Sequence, residues 1–170
     1  GAILRAATIN ATFGILVALI IGISYAYSAP PLRLKRHMLW GNIGIAVARG
    51  VLGIVAAWSA FAPIHHPAPW AAGLVLYVFL LGAATAKDFG DETGDRLAGV
   101  QTLVVALGPK TAGLISAPFA LSPIITIPWM VSLGALEIDI TAYLVVCVVL
   151  VWFAHSLLFR QTKQNKITEG

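Results

Sequence analysis

Five long apolar runs, separated by short polar or proline-containing connections, leave this chain few ways to fold. A helix needs roughly 20 apolar residues to cross the ~30 Å hydrocarbon core of a bilayer. Inside lipid, every backbone N–H and C=O must also find its partner within the protein, which favours helices. The runs extend from Ala6 to Tyr27, Leu39 to Phe61, Trp70 to Ala86, Thr111 to Leu133 and Ile140 to Phe159. Hydrophobic residues make up 59% of the chain and charged residues 11%, far from the balance of a water-soluble domain. The expected fold is therefore all-α and integral to the membrane, with about five transmembrane helices in a single domain over residues 1–170. Pro118, Pro123 and Pro128 are expected to kink the fourth span, because proline lacks the N–H that continues the helical ladder.

The charges are sorted by loop. Arg33, Lys35 and Arg36 follow the first span, Lys87, Arg96 and Lys110 the third, and Arg160, Lys163 and Lys166 the fifth. The turns at 62–69 and 134–139 hold no lysine or arginine, and the N-terminal end has only Arg5. Positive loops collect on the cytoplasmic side, so the N-terminus is expected outside, with the acidic stretch at 88–95 and the C-terminus in the cytoplasm. The formal net charge of +4 reports topology, and no nucleic-acid partner is expected. Cys147 is the single cysteine and sits in an apolar run, where a packing role is expected. His65 and His66 read as residues of the outer turn, and His155 as a structural polar contact in the last span. A chain that begins at Gly1 without an initiator methionine and trails off through Lys163–Gly170 reads as a piece of a longer protein.

The chemistry gathers in Lys87–Gly99, which holds four of the seven acidic residues at the end of the third span. If the helix continues through it, Asp88, Asp91 and Asp95 stand at i, i+3 and i+7, on one face, with Glu92 beside them. Like charges this close repel, and a helix C-terminus already carries partial negative charge, so a cation is needed to offset them. Mg2+ suits carboxylate oxygens and commonly shares its remaining positions with substrate phosphates. On the same membrane face lies Tyr27-Ser-Ala-Pro-Pro-Leu-Arg-Leu-Lys-Arg36, a proline-stiffened loop with three cations and a pair of hydroxyls. Metal-binding acids beside cations are what a diphosphate requires, and a lipid-tailed diphosphate would suit both the site and the bilayer. On the residues alone a second reading stands beside it, in which the acids cap a helix end and the bases only enforce orientation. Arg49, about two turns inside the second span, either faces a polar cavity or snorkels to the interface.

Tyr27-Ser-Ala-Pro-Pro-Leu-Arg-Leu-Lys35, followed after the third span by Lys87-Asp-Phe-Gly-Asp-Glu-Thr-Gly-Asp-Arg-Leu-Ala-Gly-Val-Gln-Thr-Leu103, resembles the UbiA family of intramembrane prenyltransferases. Asp91 and Asp95 match the DxxxD core of that family's second aspartate-rich motif, and Asp88 extends it to DxxDxxxD. Gly94, Gly99 and Thr102-Leu103 match the glycines and the TL pair that follow. Tyr27, Arg33 and Lys35 match the tyrosine and basic positions of the loop between the family's fourth and fifth helices. Asn42 with Arg49 resembles a pattern in the fifth helix of some members.

The resemblance implies a nine-helix bundle, of which this chain would supply the fourth to eighth helices. It implies Mg2+-dependent transfer of a prenyl group from a prenyl diphosphate, through an allylic carbocation, to a lipophilic and usually aromatic acceptor within the membrane. Asp88, Asp91 and Asp95 would hold Mg2+, with Asp91, Asp95 and Lys35 serving catalysis. Tyr27, Arg33, Lys35, Asn42, Arg49 and Lys87 would surround the diphosphate or acceptor. The loop wording leans toward the chlorophyll-synthase and homogentisate-type branches, within quinone or chlorophyll biosynthesis. No NDxxD-type first motif occurs in these residues, so the isolated chain is expected to be inactive. The alternative from a different class is a non-catalytic membrane module, or an inactive remnant, that binds a divalent cation.

Overall fold

The structure, a computed structural model, describes residues 1–149 and is helical, with no strand among the described residues. The expected continuation of the last apolar run to Phe159, with His155, Arg160, Lys163 and Lys166, lies outside the described residues. Internal contacts divide the chain into two units, Gly1–Leu136 and Glu137–Gly170.

In the first unit, four helical stretches are long and apolar enough to cross a membrane: Ala11–Ser28, Met38–Ser59, Pro67–Leu97 and Pro109–Ser132. The first apolar run is not one helix. It splits into α1 (Ala2–Ile9) and α2 (Ala11–Ser28) at Asn10, whose backbone is extended at φ −162° and ψ 161°. The Asn10 carboxamide oxygen accepts from the Phe13 N–H at 2.7 Å, a helix cap that competes with helix continuation. Its Nδ2 donates to the Ser59 carbonyl at 2.6 Å, tying the break to the end of the second span. Helix α1 packs back on α2 where Gly14 meets Ala7, a contact so close that a methyl on Gly14 would lie 3.0 Å from the Ala7 Cα.

The second span is continuous but changes pitch, running as α3 (Met38–Ile45), a π-helical segment (Ala46–Leu52) and α4 (Gly53–Ser59). The third begins as α5 (Pro67–Ala83), the helix around which the unit packs. Its small residues let neighbouring backbones approach, as membrane helix interfaces commonly do. Gly73 faces Val51, and Gly50 of the π segment faces the Tyr77 backbone, so the two elements cross at close range. Gly82 presses on α8 (Pro109–Ala120) at Ser116, Phe119 and Ala120. The fourth span breaks at one of its three prolines: α8 ends at Ala120 and α9 (Pro123–Ser132) restarts with Pro123 at its first position, where no intrahelical N–H is needed, whereas Pro118 and Pro128 lie inside α8 and α9.

Buried clusters are small and separate. Leu16, Val55 and Ala56 join α2 to α4, whereas Ala71, Val75 and Met130 join α5 to α9. Much apolar surface faces outward, including Leu114 at 70% and Ile125 at 74% exposure, as expected for helices whose surroundings are themselves apolar. The turn before α5 is held by polar tips of aromatics: Trp58 Nε1 donates to the Pro63 carbonyl at 3.2 Å and Trp70 Nε1 to the Ile64 carbonyl at 2.6 Å. His66 stacks on Trp58, and its Nδ1 accepts from the Ala68 N–H, so it caps α5.

In the second unit, Asp139 Oδ1 accepts from the Thr141 N–H at 2.8 Å at the start of an apolar helix described over Ile140–Val149. Cys147 lies on it as a free, half-buried thiol.

Candidate functional site

The acidic stretch is helical, which meets the condition under which Asp88, Asp91 and Asp95 share one face. Helix α6 (Thr85–Leu97) continues from α5 with only Ala84 between them. Two exposed ion pairs one turn apart support it, Lys87 Nζ to Asp91 Oδ2 at 3.1 Å and Arg96 to Glu92 Oε1 at 3.0 Å. Such pairs add only ~0.3–0.5 kcal/mol each, so the helix also depends on its ends. At its C-terminus the Val100 N–H donates to the Asp95 carbonyl at 2.9 Å and the Gly99 N–H to the Arg96 carbonyl at 3.3 Å. This is a Schellman closure, and it requires the left-handed φ of 66° that Gly99 supplies. Thr102 then caps the short α7 (Leu103–Leu107), accepting from the Val105 N–H at 3.3 Å, and Leu103 and Val104 are buried with Ala112. The glycine, threonine and leucine after the acids thus have local structural reasons.

The loop after α2 is compact. The Pro30–Pro31 peptide is cis, Arg33 adopts a left-handed φ of 39°, and Leu34–Arg36 form a 3-10 turn. Arg33 Nε is buried and has no hydrogen-bond partner among the described residues. The Gln101 N–H donates to the Arg36 carbonyl at 3.2 Å, joining this basic loop to the segment that leaves the acidic helix.

Between α2, the second span and the start of α6 lies a cavity of about 510 Å³. Tyr27, Ser24, Ser28, Arg49 and Lys87 supply its polar lining, and Ile20, Ile23 and Ile45 its apolar wall. Of the residues singled out in the sequence, the structure therefore brings Tyr27, Arg49 and Lys87 to one cavity. Arg33 and Lys35 lie on the adjoining loop and are not part of its lining. Asn42 lies elsewhere, its Nδ2 donating to Thr85 Oγ1 at 2.9 Å and to the Leu81 carbonyl at 3.3 Å. Ser24 escaped the sequence reading, although its position one turn before Ser28 places the two hydroxyls on the same side of α2. Thr85 escaped it too, being an unremarkable residue between alanines.

Asp88, Asp91 and Asp95 share one helix face, with Asp88 and Asp95 half-buried and Asp91 exposed. They are spread along it, since seven residues of helix rise by roughly 10 Å. Among the described residues no three histidine, cysteine or acidic side chains converge closely enough to form a closed ligand set. The donor chemistry nonetheless fits Mg2+, which is commonly held by one or two carboxylates and keeps its other positions for water and phosphate oxygen.

A family model described as the UbiA prenyltransferase family matches residues 1–168. The chain belongs to the UbiA prenyltransferase family. Among curated relatives, homogentisate phytyltransferase of Synechocystis sp. is 34% identical over 107 residues, covering 57% of this chain and 35% of that protein. Chloroplastic chlorophyll synthase of Arabidopsis thaliana is 37% identical over 90 residues, 53% of this chain and 23% of the relative. The bacteriochlorophyll synthase 33 kDa chain of Cereibacter sphaeroides is 35% identical over 127 residues, 72% and 39% respectively. The chain thus spans about a quarter to two fifths of the length of these UbiA relatives. No solved structure matches it. Family membership agrees with the apolar helices in making the chain an integral membrane protein.

Proposed function

We propose that this chain forms the diphosphate-handling part of a Mg2+-dependent membrane prenyltransferase. The observation that carries the reading is the cavity in which Arg49 and Lys87 meet Tyr27 at the start of the acidic helix, with an isoleucine wall alongside. Two cations, three hydroxyls and an apolar wall suit a substrate with an anionic head and a hydrocarbon tail. In this reading Asp88, Asp91 and Asp95 are the carboxylates from which one or two would hold each Mg2+, and Arg33 and Lys35 on the loop neutralise the outer phosphate oxygens. Bound Mg2+ would supply Lewis-acid stabilisation of the leaving diphosphate.

The chain's own groups do the remaining work. Arg49 and Lys87 orient the diphosphate, and the isoleucines exclude water from the allylic carbon as its bond to oxygen breaks. The electron pair leaves with the diphosphate and the acceptor's nucleophilic atom bonds to the resulting allylic cation; an aromatic carbon then gives up the proton it carried, whereas a carboxylate oxygen has none to release. The names of the relatives favour an acceptor of the homogentisate or chlorophyllide kind and a donor as long as a phytyl or geranylgeranyl chain. The distribution of lysine and arginine supports a cytoplasmic site, with the N-terminus on the other side. The family also supports placing these helices within a larger bundle that carries the other aspartate-rich motif.

Arg49→Leu tests the cavity assignment. Hydrogen bonds to a charged group contribute ~1.5–3 kcal/mol, so steady-state kinetics on the full-length protein should show KM for the prenyl diphosphate rising by roughly tenfold or more. If Arg49 only snorkels to the interface, KM and kcat will not change.

A further inference from the structure

Helix α6 carries the carboxylates but has little packing of its own, and Thr85, at its first position, is its only buried residue. Hydrogen bonds at its start and beyond its end connect it to the second span and the loop before it. At the first end, Thr85 is 0% exposed and its Oγ1 accepts from Asn42 Nδ2 at 2.9 Å. The same nitrogen donates to the Leu81 carbonyl at 3.3 Å, one turn back on α5, so both hydrogens of the Asn42 amide are engaged across the α5–α6 junction. Beyond the far end, on the segment that leaves the helix four residues after Leu97, the Gln101 N–H donates to the Arg36 carbonyl at 3.2 Å. Arg36 closes the 3-10 turn of the basic loop, and Asn42 stands on α3 directly after it. The start of the acidic helix and the segment that leaves it are therefore anchored to one short segment, residues 36–42, which is continuous with the cationic loop.

We infer that Asn42 and Thr85 are positioning residues which, with the Gln101–Arg36 main-chain bond, fix the acidic helix relative to the basic loop and the cavity. What the carboxylates do once positioned rests on the proposed function, but the anchor itself does not. A buried hydroxyl left without its partner is costly, and the alternative for this junction is a hinge at Ala84. An unanchored α6 would let the carboxylates move relative to Arg33, Lys35 and Lys87, spreading the charges that a metal-bound diphosphate must meet at once. Groups that orient metal ligands typically change metal affinity by ~10–100-fold when lost.

The test uses the full-length protein in a cysteine-free background, with spin labels at His37→Cys and Thr93→Cys, both exposed positions. Electron–electron distance measurements are expected to give a narrow distribution for this parent and for Thr85→Ser, which keeps the hydroxyl. Thr85→Val, which keeps the volume and loses the hydroxyl, should broaden or shift it, and Asn42→Leu should do the same independently. Mn2+ binding, followed by the resonance of the free ion, should weaken about tenfold in Thr85→Val and recover in Thr85→Ser. A folded Thr85→Val or Asn42→Leu protein with the parent's narrow distribution overturns the anchor. A parent that binds no Mn2+ while the distances still respond retires the metal reading and leaves the anchor standing.

Discussion

Asp91→Asn and, separately, Asp95→Asn in the full-length protein should each lower prenyl transfer by ~100-fold or more while the helices stay folded. A metal ion that polarises phosphoryl oxygens contributes several kcal/mol to the transition state, and each 1.36 kcal/mol is a factor of ten in rate. Asparagine keeps the shape and one oxygen but gives up the charge that holds a hard cation. The folded state has little to lose. Asp91 is exposed, and its pair with Lys87 is an exposed contact one turn away, the kind that contributes only ~0.3–0.5 kcal/mol. Asp95 supports its helix end through its backbone carbonyl, which the substitution leaves untouched. Transfer assayed with a prenyl diphosphate, alongside helix content and thermal midpoint, checks both halves of the expectation. Unchanged turnover in either variant would remove that residue from the metal site.

The largest effect on stability is expected at Gly82. A methyl built there would fall on the Ser116 carbonyl oxygen and lie 2.6 Å from the Ala120 nitrogen and 2.8 Å from the Phe119 Cβ. Two of these three are backbone atoms of α8, so the strain cannot be relieved by turning a side chain, and α5 and α8 must part. Overpacking of this kind costs ~1–3 kcal/mol, and the backbone contacts put Gly82→Ala at the upper end, ~3 kcal/mol. Gly50→Ala, whose methyl would meet the Tyr77 backbone at 2.8 Å, should follow it. Gly90→Ala is the internal comparison: its methyl meets nothing within 4 Å, and alanine is the better helix former by ~1 kcal/mol. Unfolding in bicelles should therefore place Gly82→Ala well below the parent and Gly90→Ala at or above it. Equal midpoints for the two would contradict the packing of α5 on α8.

The membrane spans and the acidic helix were legible because their signals are local. Run length, proline position and the i, i+3, i+7 spacing of Asp88, Asp91 and Asp95 each follow from the period of a helix. The break at Asn10 was not legible. Its strongest visible feature is one asparagine in an otherwise apolar run, and the bond that ties it down comes from Ser59, distant in sequence. The π-helical turn around Arg49 has no pattern of its own either; it coincides with the close passage of Gly50 past Tyr77, a tertiary fact. Asn42 illustrates a different gap. Its residue type and its neighbourhood to Arg49 suggest a substrate contact, whereas the fold engages both its amide hydrogens between α5 and α6. Thr85 could not be seen as its partner before the third span was placed beside the second. Tyr27, Arg49 and Lys87 come from three separate stretches, and their meeting at one cavity is likewise a product of packing.

The most direct test of the account is Mn2+ binding by the full-length protein in lipid nanodiscs, with and without an unreactive thiolo analogue of a prenyl diphosphate. If the acidic helix and the cationic cavity serve one substrate, the analogue should tighten Mn2+ binding, Mn2+ should tighten analogue binding by the same factor, and Asp91→Asn should abolish the coupling. Mn2+ affinity that is indifferent to the analogue would contradict the account, and would instead describe a membrane module that holds a divalent cation for its own sake.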